Sequence, residues 1–296
     1  MALSEPKFLD TPRGRFAYRE GGDARGAPVV MLHGWPESSY CWNGVAGHLK
    51  PGLRVIAPDL RGLGDSNREP DRDAYQKQAL AQDVVAMLDV LGVDQFQLVG
   101  HDWGGVVAQE VALAVPARVR RLVLMNIVVI NNARGIREAA AAHAKRGNRY
   151  HWYQHFQQQR NLPEAMIPGN EEAWLRQFLR CWNGEPFPED AVQEYIRYYR
   201  IPGTPGTGAN FYRTMRDDAK RWQTLAGHVW PMPSLYVYGN RDAVVIPEFL
   251  HHVEDCFADL RVEQIEAGHF VQEEQPRRVA EFLNGFLEAG SGSGNS

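Results

Sequence analysis

Phe96-Gln97-Leu98-Val99-Gly100-His101-Asp102-Trp103-Gly104-Gly105 is the stretch on which the fold turns. Its first four residues read as a short, largely apolar strand running straight into glycine, and from 106 to 115 the apolar spacing becomes helical. A strand passing directly into a helix requires a sharp turn at the strand's carboxyl end. Small residues two before and two after the centre allow the strained backbone to pass closely there. The central side chain, Asp102, is raised into the open. A carboxylate at a helix N-terminus faces free N–H groups and the positive end of the helix dipole, which favour its ionised form.

Outward from this turn the same rhythm repeats. Strands are expected at 15–20 (an edge strand), 29–32, 54–57, 96–99 and 122–125, with helices at 38–49, 75–91 and 106–115. Alternation of this kind argues for βαβ units and an α/β, mostly parallel, eight-stranded sheet flanked by helices. From about 127 to 225 the strands disappear and Ala-rich and aromatic-rich helical patterns take over, broken at Pro186-Phe187-Pro188 and Pro202-Gly203-Thr204-Pro205-Gly206. The strands resume at 234–238 and 260–265, before a last helix at 275–287. The expected organisation is a core over 1–129 and 227–289, an inserted helical cap over 130–226, and a flexible tail or linker over 290–296.

An aspartate nucleophile restricts the chemistry. It attacks an electrophilic sp³ carbon and leaves an alkyl ester on the protein, where a serine would suit acyl transfer. Hydrolysing that ester needs a base for water and donors for an oxyanion on the aspartate's own carbonyl. His33-Gly34-Trp35-Pro36 follows the 29–32 strand, where the backbone N–H of Trp35, with that of Trp103, would form the oxyanion hole. His269, in Ala267-Gly268-His269-Phe270 after the last strand, is the candidate base, and Asp242, in Gly239-Asn240-Arg241-Asp242, would orient it. Singly, each has a bland reading: Asp102 as a helix cap, His269 as a loop histidine, Asp242 as a turn residue. Their joint appearance after the right strands, in the order nucleophile, acid, histidine, is the order expected of an α/β-hydrolase.

Composition sets the outer bounds. The 296 residues carry Lys+Arg 32 against Asp+Glu 36, a net charge of −4, so no basic footprint for nucleic acid is present. Cys41, Cys181 and Cys256 are too few and too widely spaced for a disulfide framework or a zinc site. No run approaches the length that a bilayer requires, and the N-terminus lacks the apolar core of a secretory signal, so the expectation is a cytoplasmic protein without membrane contact. His151 and His155 stand four apart, but no third ligand completes a metal site and none is expected.

Taken together, the His33–Glu37 run, the Asp102 turn, the helical insert, Asp242 and Gly268-His269-Phe270 make the chain resemble the α/β-hydrolase-fold epoxide hydrolases over residues 8–287. Haloalkane and fluoroacetate dehalogenases are the neighbouring groups. The resemblance implies a cofactor-independent enzyme turning a small apolar epoxide and water into a vicinal diol. It also implies two cap tyrosines that protonate the opening ring, matched by Tyr153 in Trp152-Tyr153-Gln154-His155-Phe156 and Tyr212 in Asn210-Phe211-Tyr212-Arg213. His33, His151, Trp152 and Phe156 are the expected substrate-binding residues around them.

Two alternatives stay open at this point. A dehalogenase would aim the indole N–H groups of Trp103 and Trp152 at a departing halide, and His151, Trp152 and Tyr212 are similar to a fluoride-binding trio. No arginine stands beside Asp102 to hold a small acid, however. A non-catalytic binding module on the same scaffold would have lost a triad member, and this chain has a candidate for each role. A homodimer is compatible with everything in the sequence.

Overall fold

The computed structural model describes residues 1–288, so the expected tail at 290–296 lies outside the described residues. Eight strands form one sheet: β1 (Lys7–Thr11), β2 (Gly14–Gly22), β3 (Ala27–Leu32), β4 (Leu53–Pro58), β5 (Phe96–His101), β6 (Val119–Met125), β7 (Ser234–Gly239) and β8 (Leu260–Ile265). Their spatial order is β1-β2-β4-β3-β5-β6-β7-β8. β1 pairs antiparallel with β2 and β2 with β4, and the remaining neighbours are parallel. The central strands are buried on both faces, as in β5 and β7, where every residue is buried. Helices cover both sides of a parallel sheet, so its inner strands read as continuous apolar runs rather than alternating ones.

Two expectations from the sequence are corrected. The strand at 15–20 is not at the edge, because β1, whose Phe8 is half exposed, pairs outside it. The helix expected over 38–49 is a short 3₁₀ turn (Ser39–Trp42) followed by one helical turn (Asn43–Ala46). Gly44 and Gly47 interrupt the run there, and glycine is a poor helix former.

Helix α1 (Lys77–Val90) and helix α2 (Trp103–Ala114) pack side by side after β4 and β5. Between β6 and β7 the chain is helical, with α3 (Ala133–Lys145), α4 (Trp152–Gln158), two shorter helices (Leu162–Met166 and Glu171–Arg176), α5 (Glu189–Tyr199), α6 (Thr204–Arg213) and α7 (Met215–Trp222). This insert lies against the loops at the carboxyl ends of the strands. The hydroxyl of Tyr198 on α5 donates to the carbonyls of Pro36 and Glu37, and that of Thr207 on α6 donates to the Gly62 carbonyl at 2.7 Å. Helix α8 (Pro276–Phe286) closes the described chain against the sheet. Among the described residues no helix is long and apolar enough to cross a membrane.

Candidate active site

Asp102 joins β5 to α2 with φ 49° and ψ −129°, a backbone conformation that a non-glycine residue holds only where its surroundings enforce it. The surroundings are glycines. A Cβ on Gly100 would come within 2.5 Å of the Gly104 carbonyl oxygen, and one on Gly34 within 2.5 Å of Asp102 Oδ1. The loop after β3 therefore lies directly on the carboxylate, and the Trp35 N–H donates to Oδ1 at 2.8 Å. The Trp103 N–H makes no hydrogen bond to the Asp102 side chain, although it is the first amide of α2.

The other oxygen of Asp102, Oδ2, lies 3.4 Å from Nε2 of His269, in the loop after β8. Nδ1 of His269 donates to Oδ2 of Asp242 at 2.7 Å. Asp242 follows β7 and accepts two further bonds, from Nδ2 of Asn126 at 2.8 Å and from the Val244 N–H at 2.7 Å. The loops after β3, β5, β6, β7 and β8 thus converge at the carboxyl edge of the sheet, the usual place for ligands on an open α/β sheet. Burial opposes the charged imidazole, but the carboxylates of Asp242 and Asp102 outweigh it and hold the His269 pKa well above the usual histidine range. Burial likewise opposes ionisation of Asp242, and His269 with the Asn126 and Val244 donors brings its pKa below the ordinary carboxylate value.

Above Asp102 opens a cavity of about 790 Å³, with Asp102 and Trp103 at its base and Tyr153 of α4 and Tyr212 of α6 on its wall. Tyr212 meets Trp103 edge-on at 5.4 Å between ring centroids and Tyr153 at 5.7 Å. Tyr153 stacks on Trp35 at 5.6 Å, and Trp35 is itself tied to the insert by its indole N–H, which donates to the Tyr199 hydroxyl at 2.7 Å. Burial raises the pKa of both Tyr153 and Tyr212, so both are protonated hydroxyls throughout the neutral range.

Residues 27–276 match the family described as alpha/beta hydrolase fold. The chain belongs to that family. Relatives of this α/β hydrolase include the soluble epoxide hydrolase of Corynebacterium sp. (strain C12), 31% identical over 86% of this chain and 87% of that protein. They also include bifunctional epoxide hydrolase 2 of Sus scrofa, 28% identical over 97% of this chain; the α/β hydrolase spans only 56% of that relative's length. Among solved structures, epoxide hydrolase A from Mycobacterium thermoresistibile superimposes with a TM-score of 0.81 at 25% identity, covering 97% of this chain and 98% of that one. The resemblance read from the motifs is therefore borne out over nearly the whole chain, and the protein is a hydrolase by family.

Three of the expected substrate-binding residues stand elsewhere in this α/β hydrolase. His33 is fully buried beneath the site, with Nδ1 at 2.8 Å from the Gly34 carbonyl and Nε2 accepting the Leu60 N–H at 2.9 Å; both ring nitrogens are occupied in shaping the loop. Trp152 is 46% exposed and packs edge-on against Trp174, and Phe156 packs on the same tryptophan at 4.9 Å. The two line a separate shallow groove on the outside of the insert. Helical phase explains this. Trp152 and Phe156 are four apart and share one face of α4, while Tyr153 stands about 100° round the helix and takes the inward direction. His151 does line the cavity, where its ring packs edge-on against His143 at 4.1 Å. Burial, then the neighbouring His143 and His155, bring its pKa down to about 4.

Other residues at the site carried no expectation of their own. Asn126, at the end of β6 with φ 41°, holds Asp242 through Nδ2 and accepts the Gly239 N–H on Oδ1 at 2.8 Å. Behind His269, Nε2 of the buried His101 lies 2.8 Å from the His269 carbonyl oxygen and Nδ1 lies 3.0 Å from Glu37 Oε2. The carbonyl can only accept, so Nε2 of His101 carries a proton and ties down the loop bearing the candidate base. The sequence signal for Asn126 is slight: an Asn directly after a strand, a residue type that tolerates positive φ. Among the described residues no group of three or more His, Cys, Asp or Glu side chains is placed to hold a metal ion.

Proposed function

We propose that this α/β hydrolase opens an apolar epoxide to a vicinal diol through an ester on Asp102. The observation carrying the proposal is the pair of protonated phenols, Tyr153 and Tyr212, on the wall of the cavity whose base is Asp102. The ring oxygen of an epoxide remains attached to the product and leaves its carbon as an alkoxide, so opening requires a proton donor facing the nucleophile. The named relatives are epoxide hydrolases, which points the same way.

In this reading the insert over 130–226 acts as a cap, and Oδ2 of Asp102 attacks the epoxide carbon. The ring C–O bond breaks, its electron pair stays on the oxygen, and Tyr153 or Tyr212 supplies the proton. Oδ1, already bonded to the Trp35 N–H, becomes the ester carbonyl oxygen. Water then attacks that carbonyl carbon as His269 takes its proton, with Asp242 stabilising the imidazolium. The Trp35 N–H, with the Trp103 N–H at the start of α2, holds the resulting oxyanion. On collapse the ester C–O bond breaks, the departing alkoxide takes the proton of the new Asp102 carboxyl group, and the diol leaves with the carboxylate restored. No cofactor takes part.

One observation favours a second reading. The Trp103 indole N–H is buried at the cavity base without a hydrogen-bond partner, so a halide leaving from a primary carbon would find a donor. The second indole that this chemistry would use, Trp152, points away from the cavity. Turnover of styrene oxide and 1-bromobutane side by side separates the two readings. Diol without bromide is expected, and bromide without diol overturns the proposal. In a single turnover in heavy-oxygen water the new hydroxyl should carry light oxygen from Asp102; solvent oxygen in that first diol would exclude the ester route.

A further inference from the structure

Lys77 is an odd choice for its position. It is the first residue of α1, where the helix dipole disfavours a cation, and its side chain is fully buried. All three protons of its ammonium group are used, and all three go to the insert. Nζ donates to the Phe211 carbonyl at 2.6 Å, to Thr214 Oγ1 at 2.8 Å and to Asp218 Oδ2 at 2.9 Å. The other carboxylate oxygen of Asp218 accepts the Lys77 backbone N–H at 3.0 Å, so Asp218 also caps α1. With its donors spent, the ammonium still touches the core through one face. It stands 4.3 Å from the ring centroid of Trp103, the residue after Asp102. The Phe211 carbonyl that it holds belongs to the residue before Tyr212.

From this juxtaposition we infer that Lys77 is a positioning residue that sets the Trp103 indole and the Tyr212 hydroxyl in register with Asp102. The inference rests on the epoxide reading proposed above and names the half-reaction that the contact serves. A cation on the face of a desolvated indole fixes the ring and polarises its N–H edge. That ring packs edge-on against Tyr212, and the same cation clamps the backbone of α6 one residue away from it. The insert therefore docks through Lys77 at the place where the proton donor meets the nucleophile. His269, Asp242 and Asn126 are reached by other loops and make no contact with this clamp, which touches the Trp103 ring and not the backbone N–H that α2 fixes, so hydrolysis of the ester should be indifferent to it.

The test compares the unsubstituted protein, Lys77→Met, and the double variant Lys77→Met with Asp218→Asn. The double variant avoids leaving a buried unpaired carboxylate and so keeps the comparison alive if the single variant fails to fold. Each is mixed rapidly with styrene oxide, and ester formation and decay on Asp102 are followed by acid quench and intact mass. In parallel, the Nε1–H resonance of Trp103, identified by its loss in Trp103→Phe, is recorded without substrate. The expected result is ester formation slowed by about tenfold or more, decay unchanged within about twofold, and a displaced indole resonance. A folded double variant with the original formation rate overturns the inference. So do formation and decay slowed in step, which would mark a general loosening of the insert. If the unsubstituted protein forms no ester with styrene oxide, the epoxide reading has failed, and the Trp103 resonance decides the positioning role alone: displaced supports it, unmoved overturns it.

Discussion

Removing the side chain of Asn126 should cost the protein both stability and the later half of its reaction. In Asn126→Ala the buried Asp242 carboxylate loses one of its three hydrogen-bond donors, a bond to a charged acceptor that is worth roughly 1.5–3 kcal/mol. The Gly239 N–H loses its acceptor as well, and alanine must adopt the positive φ that asparagine tolerates, for about 1 kcal/mol more. The sum is about 2.5–4 kcal/mol, which for a chain of this size lowers the melting temperature by roughly 5 °C. Asn126→Gly loses the same bonds without the strain and should recover about 1 kcal/mol of that loss. With a donor gone, the Asp242 pKa rises, its hold on Nδ1 of His269 weakens, and ester decay should slow by about tenfold, part of what a positioned general base contributes. Ester formation, which uses the opposite wall of the cavity, should change little. Thermal melts and a quenched single-turnover time course measure both quantities. An Asn126→Ala protein with the original melting point and decay rate would refute this account of how Asp242 is held.

Tyr153→Phe and Tyr212→Phe should each slow ester formation on an epoxide by about 10–100-fold while leaving decay alone, and the double variant should form no measurable ester; quench-flow mass spectrometry reads all three. Gly34→Ala would put a Cβ within 2.5 Å of Asp102 Oδ1, so it should displace the Trp35 N–H and abolish turnover, checked by diol formation on a protein whose circular dichroism is unchanged. His269, with a folded-state pKa raised above its unfolded value of about 6.5, contributes stability that is present at acidic pH and lost as pH rises through the folded pKa. The melting temperature should therefore fall on the alkaline side, and less so in His269→Gln. His151 acts in the opposite sense: its pKa of about 4 means that the unfolded chain protonates first, so stability falls as pH drops from about 6.5 towards 4, and His151→Gln should flatten that limb.

What could be read in advance was whatever is local in the chain. The glycine spacing round Asp102, the strand leading into it and the residues just past β7 and β8 are all short-range patterns, and the structure brings Asp102, His269 and Asp242 together as those patterns suggested. β1 escaped notice because it is five residues long with a single buried side chain, so no apolar run marks it. Trp152 and Phe156 lie close to Tyr153 in sequence, yet the turn of α4 sends them outward, and helical phase over so short a helix is set by packing rather than by pattern. Asn126 and Lys77 could not have been singled out. Their partners lie 116 and 141 residues away, and a lone Asn or Lys has no spacing to betray a tertiary pairing.

The division of the site into two walls explains why one aspartate can serve both halves of the proposed reaction. Before attack, His269 lies between two carboxylates, which keep its proton on: Asp242 at 2.7 Å and Asp102 at 3.4 Å. A charged imidazole is no base, so water near it stays unreactive while the epoxide enters. Ester formation turns Asp102 into a neutral group and removes one of the two charges that sustained the imidazolium. Burial, which always opposed that charge, then has less to overcome, and the His269 pKa falls at the moment when a base is first needed; the proton it releases restores the phenol that Tyr153 or Tyr212 gave up in opening the ring. Tyr153 and Tyr212, held protonated by burial first and by the charge of Asp102 as well, are ready from the start because their task comes first. The order of events is thus carried by the charge on Asp102 itself, and no movement of the insert has to be invoked to keep the two steps in sequence.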